Sequence, residues 1–87
     1  MRWYLIAYDV SKSGVRDKCA RLLQKRGRRV QKSVFMLKCG AAAMRKLEQE
    51  LHNILEQSDS LFILPVCERC LQSSIYMGEL PPLLIFS

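Results

Sequence analysis

Arg2 to Val10 is apolar at almost every position and rich in aromatic and β-branched residues. It is too short and too continuously apolar for a surface helix, and it predicts a central strand covered on both faces. Side chains alternate across a strand, so Trp3, Leu5, Ala7 and Asp9 share one face and Tyr4, Ile6, Tyr8 and Val10 the other. Asp9 therefore ends the strand on an apolar face. A carboxylate buried there is costly unless it is hydrogen-bonded, paired with a cation or bound to a metal.

After a turn over Ser11 to Gly14, with Ser13 as the candidate N-cap, the period changes. Val15, Cys19, Leu22 and Leu23 form one helical stripe, while Lys18, Arg21 and Lys25 line another. Gly27 fits a left-handed residue that ends the helix. Arg28 to Cys39 has no helical period and favours extended structure, either one long strand or two short ones bent near Ser33. Gly40 and the alanines open a second helix, with Met44, Leu47, Leu51, Ile54 and Leu55 on one stripe. Ser58 to Ser60 breaks it, and Leu61 to Val66 predicts another strand. Ser73 to Met77 predicts a further short strand, and Leu83 to Phe86 forms an apolar tail.

This order of elements predicts an α+β fold, a ferredoxin-like βαββαβ sandwich with an antiparallel sheet and two helices on one face. Residues 1–78 form the domain and 79–87 a tail or strand. The uncovered sheet face and the apolar tail predict a symmetric homodimer whose C-terminal strand joins the partner's sheet.

With 87 residues the chain holds a single small core. The net charge of +6 is unevenly placed. From Lys12 to Lys32 there are nine basic residues against one acid, Asp17, while the rest of the chain has five basic and seven acidic residues. That asymmetry points to a polyanion-facing surface, against the alternative of a cationic solvated helix face. No segment reaches the roughly 20 apolar residues of a membrane-spanning helix. The apolar start is interrupted by Asp9 and lacks a small-residue cleavage site, so a cytoplasmic protein with reduced thiols is expected.

Three groups are candidates for chemistry. His52, alone in the second helix, has no partner placed to orient it and reads as a surface residue. Cys67 and Cys70 form a C-x-x-C, which is half a zinc site or a redox pair; with no second pair in the chain, a structural or incidental role is favoured. Asp9 reads either as a turn cap or, if a dimer brings two copies together, as a ligand for Mg²⁺.

The strand ending Tyr8-Asp9-Val10, the basic helix with Val15-Arg16-Asp17-Lys18, then Gly27, Arg29-Val30-Gln31-Lys32-Ser33-Val34-Phe35 and Leu64-Pro65-Val66-Cys67 together resemble the CRISPR-associated Cas2 family. The resemblance implies a ferredoxin-like homodimer that bridges dimers of a CRISPR integrase subunit and holds an incoming double-stranded DNA protospacer. It also implies, for some members, Mg²⁺-dependent cleavage of DNA or single-stranded RNA, attributed to the strand-end Asp, here Asp9. Tyr8, Arg16, Arg29 and Phe35 match residues that accompany it, with Ser33 nearby. Lys18 stands where the family often has Arg, exchanging a bidentate fork for a point charge.

Two mechanisms then compete for the same residues. In one, Asp9 and its symmetry mate hold Mg²⁺ for phosphodiester hydrolysis. In the other, which is favoured, Arg16, Lys18, Arg21, Arg28 and Arg29 grip a duplex backbone and Asp9 shapes the dimer. A third reading is a toxin-type metal-dependent ribonuclease of the related virulence-associated family.

Overall fold

The computed structural model describes residues 1–73. Its elements run β1 (Arg2–Asp9), α1 (Ser13–Gln24), β2 (Arg28–Gln31), β3 (Val34–Cys39), α2 (Ala41–Ile54), β4 (Ser60–Val66) and α3 (Glu68–Gln72). The four strands form one sheet in the order β2-β3-β1-β4. Each neighbouring pair is antiparallel. This is the ferredoxin-like arrangement that the alternation of periods predicts.

The period of two in β1 decides where the core lies. Tyr4, Ile6, Tyr8 and Val10 are buried with Phe35 and Leu37 of β3, Cys19 and Leu23 of α1, and Met44, Leu47 and Leu51 of α2. Both helices thus cover the same sheet face. Full burial of a side chain such as Ile6 or Phe35 contributes about 1.5–3 kcal/mol each. The other face carries a smaller cluster, Trp3 and Met36 with Leu5, Val30 and Val66 packed on them. Among the described residues no helix covers this side. Phe62 and Leu64, paired in register with Ala7 and Leu5, stand 57% and 44% exposed.

Several local expectations change. The helix α1 is capped by Lys12 rather than Ser13, which is already helical, and no side chain bonds the free amides. Gly27 is not needed for a left-handed turn. Its role is close approach: a Cβ there would lie 2.4 Å from the Met36 carbonyl oxygen and 2.7 Å from Leu37 Cβ, where the chain leaving α1 passes against β3. Arg28 to Cys39 is two strands, with the turn at Lys32 and Ser33 and a register shift between Arg29 and Gln31. Pro65 lies within β4 opposite Tyr4, tolerated because β4 is an edge strand. The short helix α3 was not expected. Of the predicted strand Ser73 to Met77, Ser73 is a turn residue and the remainder lies outside the described residues, as does the tail 79–87. Among the described residues no helix is long and apolar enough to cross a membrane.

Candidate nucleic-acid interface

The C-terminal end of β1 meets the β2–β3 turn. The Tyr8 backbone N–H donates to the Ser33 carbonyl at 3.1 Å. Arg29 and Phe35 are direct partners across the β2–β3 ladder, which brings the Arg29 guanidinium 5.2 Å from the Phe35 ring centroid. The Phe35 ring in turn stacks on Tyr8, 6.3 Å between centroids and 20° between planes. One turn into α1, Arg16 and Ala20 stand one helical turn apart and close the other side. Tyr8, Arg16, Asp17, Ala20, Arg29, Lys32 and Ser33 line an open hollow of about 210 Å³.

Three exposed cations, Arg16, Arg29 and Lys32, against the single carboxylate Asp17 make this hollow electropositive. Burial pushes the Tyr8 phenol above the usual tyrosine range, and the Arg29 charge, acting with a hydrogen bond, pulls the other way without cancelling it. Tyr8 is therefore a neutral donor at physiological pH. Its hydroxyl, two guanidiniums and an ammonium form a set suited to phosphate oxygens.

The structure divides the residues that sequence reasoning grouped. Arg16 and Arg29 come together with Tyr8, Ser33 and Phe35. Lys18 and Arg21 are exposed on α1 and do not line the hollow. Arg28 is next to Arg29 but pairs with Met36, whose cluster with Trp3 is on the other face of the sheet, and it lines a second hollow of about 440 Å³ with Lys25, Arg26, Lys38 and Trp3. The basic run therefore lines two separate hollows. Lys32 at the first, and Trp3 with Lys38 at the second, were missed as site residues. The β2–β3 register, which sets Arg28 against Met36, separates the two hollows.

Asp9 corrects a further expectation. It is the last residue of β1, exposed, opposite Ser60. It is not a buried carboxylate: Tyr8 and Val10 on either side are buried under the helices, but the small cluster on the other face, around Trp3 and Met36, does not include Asp9. Its odd position puts it on the face of Ala7 and Leu5, away from the Tyr8 hollow. The described residues contain no group of three or more His, Cys, Asp or Glu side chains able to hold a metal ion. Among the described residues Asp9 would offer Mg²⁺ one carboxylate, with waters, a second copy or phosphate oxygens completing the shell.

A family model described as CRISPR associated protein Cas2 matches residues 1–74. The chain belongs to the Cas2 family. Among its Cas2 relatives is the CRISPR-associated endoribonuclease Cas2 1 of Chloroflexus aurantiacus, 38% identical over 82 residues, covering 92% of this chain and 88% of the relative. A protein of Thermus thermophilus, solved as the hypothetical protein TT1823, has TM-score 0.81 and 32% identity over 92% of this chain and 94% of that one. A chain in a partial Cas6-RT-Cas1--Cas2 complex has TM-score 0.78 and 31% identity over 88% of this chain and 91% of that one. The match spans the sheet, both long helices and the Cys67–Cys70 segment, so the Cas2 assignment covers both hollows.

Proposed function

We propose that this chain is a CRISPR-adaptation subunit that works as a scaffold, holding a protospacer-like DNA duplex by its phosphates and bridging integrase subunits as a homodimer. The observation that supports this most is the hollow that Arg16, Arg29 and Lys32 line together with Tyr8, outnumbering Asp17. Backbone contacts by such cations give affinity without sequence preference and a strong salt dependence. The solved relative in a Cas1–Cas2 complex supports an integrase partner. The uncovered apolar face, with Phe62 and Leu64 exposed, supports pairing with a second copy.

The test compares wild type with Arg16→Glu/Arg29→Glu for binding to a protospacer-like duplex across a salt series. The double reversal is expected to weaken binding and flatten the salt slope, each lost phosphate contact removing about one unit of slope. Unchanged affinity and slope would remove this hollow from the contact surface.

The endoribonuclease in the relatives' name supports a second reading, in which Asp9 takes part in phosphodiester cleavage with Mg²⁺. Its strand-end position and exposure leave it accessible, and the remaining oxygen ligands would be waters, a second copy's carboxylate or the nucleic acid's phosphates. Loss of Mg²⁺-dependent cleavage of single-stranded RNA in Asp9→Asn, with duplex binding retained, supports this reading; cleavage unchanged by the substitution excludes it.

A further inference from the structure

Two of the four thiols differ from the others in exposure and in their contact with each other. Cys19 is fully buried in the core and Cys39 half-buried, and burial pushes both thiols up. Cys67 and Cys70 are exposed, with their sulfurs hydrogen-bonded 2.9 Å apart. The Cys70 backbone N–H also donates to Cys67 Sγ at 3.2 Å. Cys67 is thus the sulfur of the pair better able to take a negative charge, since the fixed Cys70 N–H can only stabilise it there. Those hydrogen bonds push Cys67 down, and the same contact, with the charge it brings, pushes Cys70 up. An attacking thiolate and a neighbouring protonated thiol are the two parts that thiol–disulfide exchange requires.

We propose that Cys67 and Cys70 form a redox-active dithiol, with Cys67 the nucleophile and Cys70 the resolving thiol, that is oxidised to an intramolecular disulfide by low-molecular-weight disulfides such as glutathione disulfide. The Cys67 thiolate attacks one sulfur of the external disulfide, forming a mixed disulfide and expelling one thiolate. That thiolate takes the Cys70 proton. The Cys70 sulfur then attacks Cys67 Sγ, forms the intrachain bond and expels the second external thiolate, which is protonated by solvent. Counted from the dithiol, the protein gives up two electrons and two protons, one of the protons through solvent, and one external disulfide becomes two thiols. The sulfurs have little distance to close, because a disulfide bond measures about 2.05 Å. The pair sits where it can act on the sheet. Cys67 directly follows Val66, the register partner of Trp3. Glu68, between the two cysteines, pairs at 3.3 Å with Lys38, whose ammonium lies 5.8 Å from the Trp3 ring.

The full-length chain, freshly reduced, is treated with excess glutathione disulfide, then alkylated and mapped by mass spectrometry. The expected product has lost two hydrogens, with Cys67 and Cys70 untagged and Cys19 and Cys39 still thiols when the chain is unfolded. Cys70→Ser is expected to accumulate glutathione on Cys67, and Cys67→Ser to react on the order of tenfold more slowly. Disulfide-linked chains on a non-reducing gel as the main product, equal oxidation of all four cysteines, or a Cys67→Ser rate equal to wild type would each overturn the proposal. So would protection of both thiols by equimolar Zn²⁺, which would make the pair half of a shared metal site. The wild-type measurement stands whether or not either variant folds.

Discussion

The Arg29 guanidinium lies 5.2 Å from the Phe35 ring centroid, directly across the β2–β3 ladder from it. Phe35 is fully buried and Arg29 exposed, so one contact joins the core to the electropositive hollow. Arg29→Leu should lower stability by about 0.5–1 kcal/mol, the usual worth of an exposed cation over a ring, and Arg29→Lys by less. Urea unfolding of the two variants measures this; equal stability of wild type and the Leu variant would show that the ring contact contributes nothing. The same variants should lose duplex affinity, with Lys retaining more than Leu.

Gly27→Ala should destabilise the fold by about 1–3 kcal/mol, because the new methyl group would meet the Met36 carbonyl and Leu37 Cβ and the backbone must move. For a domain of this size, thermal unfolding should fall by roughly 4–8 °C per kcal/mol. A glycine needed only for turn conformation would tolerate alanine at smaller cost.

Much of this fold was legible in the sequence. The period of two in Trp3 to Val10 and the helical stripe Met44, Leu47, Leu51 each depend only on local geometry and burial, and both appear where expected. The α3 helix was not legible, since five residues are too few for a helical period to register. Gly27 was misread because the atoms that exclude a side chain there belong to β3, distant along the chain. Alternation correctly placed Asp9 on a face but said nothing of how far the cover extends. The division of Arg28 from Arg29 followed from a ladder register that charge counting does not contain.

Alkaline pH should destabilise the protein through Tyr8. Its folded pKa is raised by burial, so its contribution is fully present below the ordinary tyrosine value of about 10 and is lost as pH rises through the folded value. Cys19, also raised, acts in the same direction from a lower pH. Unfolding free energy measured across this range should fall less steeply in Tyr8→Phe. Identical slopes would mean that the phenol titrates alike in the folded and unfolded chain.

Iodoacetamide should label Cys67 at lower pH than the other three cysteines, because its thiol is pushed down while theirs are pushed up. Site-resolved alkylation rates against pH give the order directly. Cys70 should label at higher pH while Cys67 is free.

Phe62→Asp with Leu64→Asp should shift the protein toward monomer in sedimentation equilibrium and leave its helical circular dichroism unchanged. Both side chains are substantially exposed within one chain, so charge there disturbs pairing more than folding. Retention of the wild-type mass would place the pairing surface elsewhere.

Tyr8 and Asp9 are neighbours in sequence, yet one lies over the helix-covered core and the other on the opposite side of the sheet. The strand β1 therefore carries two interleaved sets of constraints. Even positions answer to the helix-covered core, and odd positions to the smaller cluster on the open face and to solvent. A saturation library of Trp3 to Val10, sorted once for folding and once for pairing, should separate into two combs offset by one residue. An insertion of a single residue within the strand would exchange them and lose both at once.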